Sequence, residues 1–293
     1  MTGSGSPSGA ISRLERLGEV GSTNDTVRDW LADGQPEVCV AVADEQSAGR
    51  GREGRVWTAP PGAGLLLSCG FRPSWLAPER VWRLGATVAL AMCDAAEEAA
   101  GLPVGSVRLK WPNDLVVETA GPNALLAGVV SEAAAAARLA SPLELRKVAG
   151  VLGESRGLGT GDPQAVVGIG VNADWAAADF PAELAPTMTS LREASGGRPI
   201  DREALLDAFL GYLGTRLDAL RAGYFDLATW ASRQTLTGRL VRLDGYAPAG
   251  GDELLVEGVD GTTGALVVAP AAGGEMRLVH AGEVVHARLA VGV

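Results

Sequence analysis

The chain has 293 residues, of which 47% are hydrophobic and 20% charged, and its formal net charge is −10 at pH 7. Chains of this length bury one large core and a small second one, and no apolar run here approaches the roughly 18 residues of a membrane-spanning helix. The acidic net charge argues against nucleic acid or an anionic membrane as the main partner, so an anionic ligand would need a local basic patch.

The beginning of the chain indicates a cytoplasmic protein. Residues 1–10 are rich in Gly, Ser and Pro and lack the basic and apolar regions of a signal peptide. We therefore predict a disordered tail over residues 1–14. No basic helix-turn-helix module precedes residue 15, which argues against a DNA-binding repressor.

The cysteines and histidines exclude several kinds of site. The three cysteines are widely spaced in apolar surroundings, which favours buried thiols in a reducing compartment over disulfides or a zinc site. They are Cys39, Cys69 and Cys93. The only histidines, His280 and His286, lie late in the chain, so a histidine-based zinc site or a Ser-His-Asp triad is not expected.

Up to about residue 233, predicted helices and strands are interspersed. Apolar residues at helical spacing predict helices at residues 24–31, 80–99 and 201–223, the last with Asp201 as its N-cap. Apolar, β-branched runs predict strands. These strands lie at residues 38–43, 65–71, 107–111, 115–117, 125–130, 148–152 and 166–171. The alanine-rich stretch 133–145 is interpreted as an inserted helix or loop.

The last part of the chain is different in character. Short apolar runs separated by Gly, Asp and Ala turns predict five strands, which together suggest a small β-barrel. The strands lie at residues 240–243, 254–257, 266–269, 276–280 and 284–289. We place a domain boundary near Arg233, so that residues 15–233 and 234–293 form two domains.

A basic, glycine-rich segment at residues 46–55 is the strongest local signal. From residue 49 the chain reads Gly49-Arg50-Gly51-Arg52-Glu53-Gly54-Arg55-Val56-Trp57. Arginine forks and bare backbone N–H groups at this spacing are suited to wrapping an anion. The alternative is a disordered linker or an RNA-binding segment. The position between two predicted buried strands, with an apolar Trp57 at its end, favours a mobile loop that closes over a small ligand.

Three further motifs carry polar groups at the ends of predicted strands. Lys110-Trp111-Pro112-Asn113-Asp114 offers a lysine for a phosphate and an aspartate for a metal or for loop order, although alone it is more typical of a structural turn. Lys147 opens an apolar strand, where lysines are usually solvated. In Gly168-Ile169-Gly170-Val171-Asn172 the glycines would let a ligand approach the backbone, and Asn172 offers a donor and an acceptor.

Taken in this order, with Ser22-Thr23-Asn24 ahead of them, the motifs resemble the biotin–protein ligase family over roughly residues 15–290. The resemblance implies an α+β fold: a mixed β-sheet packed with helices, similar to class II synthetases, and a small SH3-like C-terminal barrel. It implies a ligase that uses ATP and Mg²⁺ to form biotinyl-5'-AMP and transfers biotin to a lysine of a biotin carboxyl carrier protein. The expected carrier belongs to an acyl-CoA carboxylase. DNA and membrane are not expected partners, and a monomer or a homodimer remains open.

The same resemblance implies roles for individual residues. The biotin pocket would be formed by Ser22, Thr23, Asn24, Gln46, Arg50, Gly51, Arg52 and Lys147. Among these, the biotin carboxylate and the α-phosphate would be met by three catalytic cations, Arg50, Arg52 and Lys147. The nucleotide would be bound by Arg55, Trp57, Lys110 and Asn172, and Asp114 would bind a metal.

One feature departs from the family pattern. The lysine-led strand normally follows the Lys-Trp-Pro-Asn-Asp motif after a short turn, whereas Lys147 lies 33 residues beyond Asp114. A similar string that starts at Leu125 has nearly the usual spacing but no lysine. Either residues 133–146 are an insertion that returns Lys147 to the usual place, or the Leu125 string is the true strand. We favour the insertion, because a buried site for two anions needs the positive charge.

Two other functions compete with biotin ligation. A lipoate or octanoyl protein ligase of related fold would favour a long apolar tunnel, which the arginine-glycine segment fits less well. A non-enzymatic protein that binds RNA or a small ligand could use the arginines as a contact surface. Incubation with ATP and biotin would separate the three, because only the biotin ligase consumes both.

Overall fold

The computed structural model describes residues 11–118, 145–243, 253–271, 273–280 and 287–289. Seven strands of this part of the chain form one mixed sheet in the order β1-β2-β3-β7-β6-β5-β4. Their bounds are β1 Arg13–Val20, β2 Cys39–Gln46, β3 Gly64–Phe71, β4 Val107–Lys110, β5 Asp114–Glu118, β6 Leu145–Arg156 and β7 Gln164–Asn172. β1 pairs in parallel with β2, and every other pair in this sheet is antiparallel.

Helices cover both faces of the large sheet. Their bounds are α1 Thr23–Ala32, α2 Trp82–Ala99, α3 Leu191–Ala194, α4 Arg202–Arg221 and α5 Leu227–Ser232. Along β2, Val40 and Val42 belong to the main core, which also holds the apolar faces of α2 and α4. Cys39 and Ala41 point the other way and pack with Val27 of α1, because successive strand residues face opposite sides. α1 therefore lies on the face opposite α2 and α4.

Local sequence explains the longest helix. The carboxylate of Asp201 accepts hydrogen bonds from the backbone N–H groups of Glu203 and Ala204, so it is the N-cap of α4 as predicted. The predicted apolar stripe of this helix is buried, including Leu206, Phe209 and Leu213. The three cysteines are free and buried, which also agrees with the prediction.

Five C-terminal strands form a second, antiparallel sheet in the order β11-β10-β9-β8-β12. They are β8 Leu240–Leu243, β9 Leu254–Val259, β10 Leu266–Pro270, β11 Arg277–Val279 and β12 Ala287–Leu289. This sheet surrounds its own small apolar core, to which the large sheet contributes Trp111. The indole N–H of Trp111 donates to the Gly264 carbonyl at 3.0 Å. The predicted fold class, a mixed sheet packed with helices plus a small C-terminal β module, is confirmed.

The structure differs from the sequence predictions in one strand of the large sheet. β1 was not predicted, because four of its eight residues are charged and only Val20 is β-branched. It starts before the predicted tail ends at residue 14. The predicted strand at 125–130 and the stretch 133–144 lie outside the described residues. Among the helices that the structure describes, none combines the length and apolar character needed to cross a membrane.

Candidate active site

A cavity of about 400 Å³ opens on the α1 face of the large sheet. Its walls come from α1, from the ends of β2 and β5, from β6 and β7, and from the glycine-arginine segment. The structure brings nearly all of the predicted site residues to this cavity. Lining it are Ser22, Thr23, Asn24, Gln46, Arg50, Gly51, Arg52, Arg55, Trp57, Lys110, Asp114 and Lys147. Asn172 lies outside the lining.

One end of the cavity is neutral and polar. Gln46 Oε1 accepts hydrogen bonds from the backbone N–H and the hydroxyl of Thr23, at 2.8 and 3.0 Å. The hydroxyl of Ser68, fully buried on β3, lies 2.7 Å from Thr23 Oγ1 and 2.6 Å from Asn24 Oδ1. Asn24 Nδ2 is buried and has no hydrogen-bond partner among the described residues. Because a buried amide without a partner is costly, this donor is suited to a neutral ligand with a carbonyl oxygen.

The glycine-arginine segment is a short hairpin over residues 49–57, which we call the Gly-Arg hairpin. The N–H of Trp57 donates to the carbonyl of Gly49 at 2.9 Å, and that of Gly51 donates to the carbonyl of Arg55 at 2.6 Å. Glu53 at the tip has φ 58°, in the left-handed region. A Cβ at Gly49 would collide with the carbonyl oxygen of Trp57, so glycine is required where the two arms approach. The predicted loop is therefore an ordered hairpin.

Two glycines of the sheet seat the indole of Trp57. Gly150 of β6 and Gly170 of β7 are cross-strand partners. A Cβ at Gly170 would lie 2.5 Å from the indole nitrogen, and one at Gly150 would lie 3.1 Å from the ring. Similarly, a Cβ at Gly168 would collide with Asn24 Oδ1. The interpretation that Gly168 and Gly170 let a ligand approach the backbone is thus corrected: here they make room for two side chains of the site.

The other end of the cavity carries the lysines. Lys147 Nζ lies 2.7 Å from Asp114 Oδ1 and 5.2 Å from the centre of the Trp57 ring. Burial lowers the pKa of Lys110, and the neighbouring charges of Lys147 and Arg55 act in the same direction, while Asp114 opposes them. Two ammonium groups, one carboxylate and the hairpin arginines therefore make this end cationic.

Strand pairing decides between the two interpretations of the lysine-led strand. β6, which contains Lys147, pairs antiparallel with β5, and Asp114 is opposite Gly150. Lys147 thus occupies the strand next to the Lys-Trp-Pro-Asn-Asp motif, as the insertion interpretation requires. The Leu125 string lies outside the described residues.

The arginines of the hairpin differ in their surroundings. Arg50 lies at the cavity wall, yet its guanidinium forms ion pairs with Asp25 at 2.7 Å and with Glu154 at 3.1 Å. Its hydrogen bond to Asp25 raises the pKa of Arg50 and lowers the pKa of Asp25. Arg52 lines this cavity and also a second cavity, which lies between the large sheet and the C-terminal sheet. Arg55 is more exposed and donates to the carbonyl of Arg52 at 3.4 Å.

Asn172 holds a neighbouring segment in place. It is fully buried, and its Nδ2 donates to the carbonyl of Thr189 at 2.9 Å. The backbone of Lys147 bonds the same segment, donating to Thr187 and accepting from Thr189 at 2.8 and 2.9 Å. Met188, between them, lines the cavity. The contact found for Asn172 is therefore with protein backbone that borders the cavity.

The described residues contain no group of three or more His, Cys, Asp or Glu side chains arranged to hold a metal ion. Asp114, the predicted metal ligand, has Lys147 as its partner. One carboxylate is nevertheless sufficient for Mg²⁺ that arrives on a nucleotide, since such ions keep phosphate and water ligands. Asp114 could contact such an ion, and the metal role predicted for it stays a prediction.

A second cavity of about 460 Å³ lies between the large sheet and the C-terminal sheet. Trp82, Trp111 and Trp230 form part of its wall, and Gly264 and its neighbours close it from the C-terminal side. The two cavities share several lining residues, which are Arg52, Lys110, Asn113, Asp114, Val151 and Leu152. Both cavities therefore border the cationic end of the site.

Sequence reasoning missed several residues of the site. Ser68 stands in an apolar strand, and only the strand register brings it beside Asn24. Asp25 follows the Ser-Thr-Asn motif directly, and Glu154 lies two residues beyond the predicted strand 148–152, so their positions could have been noticed. Their partner, Arg50, is far away in sequence, and that pairing could not have been foreseen.

Comparisons with known proteins agree on one family. Residues 17–172 match the model of the biotin/lipoate A/B protein ligase family. The chain is 29% identical to the biotin--[acetyl-CoA-carboxylase] ligase of Mycobacterium tuberculosis, over 94% of this chain and 90% of that protein. It is 30% identical to the bifunctional ligase/repressor BirA of Bacillus subtilis, over 64% of this chain. The match spans about half the length of that protein, 49%.

Among solved structures, the chain is similar to the biotin protein ligase from Aquifex aeolicus in complex with biotin and ATP. The TM-score is 0.68 at 25% identity, and the match covers 95% of this chain and 99% of that chain. The biotin protein ligase from Leishmania major in complex with biotinyl-5-AMP shares the fold at 24% identity, with a TM-score of 0.57.

Proposed function

Because the chain belongs to the biotin/lipoate A/B protein ligase family, we propose that it is an ATP-dependent biotin–protein ligase. The observation that carries this proposal is the composition of the cavity, which has a neutral hydrogen-bonding end and a cationic end under one hairpin. A ligand with a neutral polar head at one end and a carboxylate at the other matches this division. Biotin, with its ureido ring and valeryl carboxylate, is such a ligand.

The neutral end would bind the ureido group. Asn24 Nδ2 supplies a buried donor, and the hydroxyls of Thr23 and Ser68 supply groups that both donate and accept. Among the residues that the structure describes, no charged side chain belongs to this network, which suits a neutral head. A lipoyl or octanoyl chain would leave the buried Asn24 donor without a partner, at a cost of about 1–3 kcal/mol. The polar network therefore favours biotin over a purely apolar acyl chain.

The cationic end would align the carboxylate with the α-phosphate of Mg·ATP. Both reactants are anions, so the enzyme must mainly offset their repulsion and hold them in line. We assign this role to Lys147, Lys110 and Arg52, with Arg55 near the outgoing pyrophosphate and Trp57 against the adenylate. Attack of a carboxylate oxygen on the α-phosphorus forms biotinyl-5'-AMP and releases pyrophosphate. Asp114 would be the carboxylate that holds Mg²⁺ bound to ATP, and this ion would supply neutralisation of the phosphate charge.

In the second step, a lysine amine of the carrier attacks the acyl carbon of biotinyl-AMP. The amide bond forms, the acyl–oxygen bond to AMP breaks, and the amine loses a proton. The acceptor we propose is a biotin carboxyl carrier protein of an acyl-CoA carboxylase, because the similar protein of Mycobacterium tuberculosis is named a biotin--[acetyl-CoA-carboxylase] ligase. The Gly-Arg hairpin would exclude water from the anhydride until the carrier arrives.

The test is consumption of ATP with labelled biotin, followed by transfer to a carrier domain. Biotin should be required for pyrophosphate release, and lipoate or octanoate should not replace it. Lys147→Ala should slow adenylate formation about 100-fold or more, since preorganised charges are worth that much. Arg156→Gln, which removes a cation at the far end of the same strand, is the matched control and should keep the normal rate. ATP consumption with lipoate in place of biotin would overturn the proposal.

A further inference from the structure

Four charged residues join the Gly-Arg hairpin to the elements on both sides of it. The guanidinium of Arg50 binds both carboxylate oxygens of Asp25, at 2.7 and 2.8 Å, and one oxygen of Glu154, at 3.1 Å. Arg28, one turn along α1, pairs with Asp25 at 2.5 Å and lies 3.7 Å from Glu154. Two arginines and two carboxylates, from α1, β6 and the hairpin, therefore alternate in one network.

We propose that these four residues form an ion-pair clamp that closes the Gly-Arg hairpin over the cavity, and that Arg50 is a positioning residue. This inference rests on the proposed function, and it gives Arg50 a role different from that of Arg52 and Lys147. Arg50 holds the hairpin, and the other two cations face the substrates. Asp25 and Glu154 thereby become determinants of how long the reactive adenylate stays bound.

The geometry of Arg50 supports a fixed position. A fork that meets a carboxylate with two parallel N–H bonds is held in direction as well as in distance. Its hydrogen bond to Arg50 also lowers the pKa of Asp25, so this carboxylate is charged throughout the physiological pH range. Isolated surface ion pairs contribute little to stability, but a bidentate pair within a network is the exception.

The hairpin needs such a fastening. Its backbone hydrogen bonds between Gly49 and Trp57 and between Gly51 and Arg55 fix its shape, but they do not attach it to the sheet. Trp57 seats one arm on Gly150 and Gly170, and Arg50 fastens the opposite arm. Because Arg52 stands two residues beyond Arg50, loss of the clamp would move Arg52 away from the cavity.

A first experiment tests the clamp without any substrate. Trypsin can cleave the hairpin after Arg52 and Arg55, and neither Asp25→Asn nor Glu154→Gln removes a cleavage site. Each variant should be cut within the hairpin roughly fivefold faster than the parent chain, the factor expected for losing a networked pair. Asp29→Asn, the same charge change at an exposed position of α1, should be cut at the parent rate. Equal cleavage of all four proteins would overturn the clamp.

A second experiment connects the clamp to catalysis. Biotinyl-AMP is formed on the enzyme, and its escape is followed as biotin attached to a lysine-rich bystander protein. Self-labelling is confined to the two lysines of the chain, Lys110 and Lys147, and to its terminal amine. For Asp25→Asn and Glu154→Gln, the bystander labelling per adenylate formed should rise about fivefold over the parent chain. Asp25→Glu, which keeps the charge, should restore much of the retention.

The outcomes separate the clamp from the proposed function. If the parent chain forms no biotinyl-AMP, the ligase proposal fails, while the trypsin experiment still tests the clamp. If it forms the adenylate and both variants retain it as the parent does, the clamp fails. The double variant Arg50→Gln/Asp25→Asn should leak no faster than Arg50→Gln, because both changes break the same contact. Additive leakage would overturn the pairing, and Glu154→Gln keeps the test available if Asp25→Asn does not fold.

Discussion

The two lysines of the chain, Lys110 and Lys147, both line one cavity, although 25 residues are Lys or Arg. The difference between the two types of cation is chemical: an arginine stays charged in any protein, whereas a lysine loses its proton when burial makes the charged form unfavourable. Lys147 has Asp114 as a partner at 2.7 Å. Burial lowers the pKa of Lys110, and two nearby cations lower it further.

The lowered pKa of Lys110 predicts that nucleotide binding weakens as the solution becomes alkaline. A lysine whose pKa is lowered releases its proton below the ordinary value of 10.5, so its charge is lost as the pH rises towards that value. The KM for ATP should therefore increase with pH in this range. Lys110→Arg keeps its charge, so its KM should remain flat over the same interval, even if its absolute value differs. Parallel pH profiles of the two proteins, measured by pyrophosphate release, would contradict a nucleotide contact by Lys110.

At the scale of elements, the floor of the site is a pair of glycines on neighbouring strands. Gly150 on β6 and Gly170 on β7 are opposite each other, and the indole of Trp57 lies over them. Because these two glycines have no side chains, the Gly-Arg hairpin can pack directly against the backbone of β6 and β7. The position of the hairpin thus depends on the register of β6 and β7.

A methyl group at Gly170 should displace the hairpin. In Gly170→Ala the new Cβ would lie 2.5 Å from the Trp57 indole, so the ring must move and the arginines with it. Because displacements of about 1 Å can cost up to 100-fold in rate, we expect the kcat/KM for biotin to fall at least tenfold. Gly153→Ala on β6 is the matched control, since its Cβ would meet no atom within 4 Å. Equal kcat/KM values for the two variants would show that the glycine pair under Trp57 has no role in catalysis.

Much of this arrangement was predictable at the level of elements. Asp201 capped the helix it was expected to cap, and the apolar residues after Lys147 lie in a strand as expected, although β6 already begins at Leu145. These features depend on local residue patterns, which the sequence displays directly. The edge strand β1 was missed because its charged residues hide the alternation.

Contacts across strands were not predictable. Gly168 and Gly170 were interpreted as open backbone, and only the folded chain shows that Asn24 and Trp57 fill the space above them. Arg50 was predicted to meet the biotin carboxylate and the α-phosphate, whereas the carboxylates that it contacts in the structure belong to residues 25 and 104 positions away. Such pairings follow from sheet order and not from any local pattern.

At the scale of the whole molecule, the large sheet and the C-terminal sheet are connected near the cavity. The buried guanidinium of Arg233 pairs with Glu97 and Asp94, each at 2.7 Å, and donates to the carbonyl of Val107. The N–H of Leu109 in turn donates to the carbonyl of Arg233 at 2.9 Å. The chain therefore enters the C-terminal sheet from a point fixed against β4, whose last residue is Lys110.

Trp111 makes this connection part of the site. It follows Lys110 directly, it is 5% exposed, and it packs in the core of the C-terminal sheet with Leu236 and Val241. One side of this short motif thus lies in the second core, while Lys110 and Asp114 line the cavity. A substitution in the C-terminal core should therefore weaken nucleotide binding, even though the substituted residue does not contact the nucleotide.

Exchange of this tryptophan tests whether the two sheets act as one unit. Trp111→Ala leaves a cavity in the second core and should lower the free energy of unfolding by about 3 kcal/mol or more. It should also raise the KM for ATP, because Lys110 loses its support. Trp111→Phe keeps most of the packing but removes the hydrogen bond to Gly264, so it should cost about 1 kcal/mol. Trp30→Phe, on α1 beside Arg13, is the matched control and should leave the KM for ATP unchanged.

Denaturant unfolding of Trp111→Ala shows whether the two sheets unfold together. If the sheets form one cooperative unit, denaturant unfolding of Trp111→Ala followed by fluorescence and by loss of ATP binding should coincide in a single transition. Two separated transitions, with ATP binding lost only in the second, would mean that the C-terminal sheet unfolds without disturbing the site. In that case Trp111 would stabilise only its own core, and Lys110 would be positioned by β4 alone.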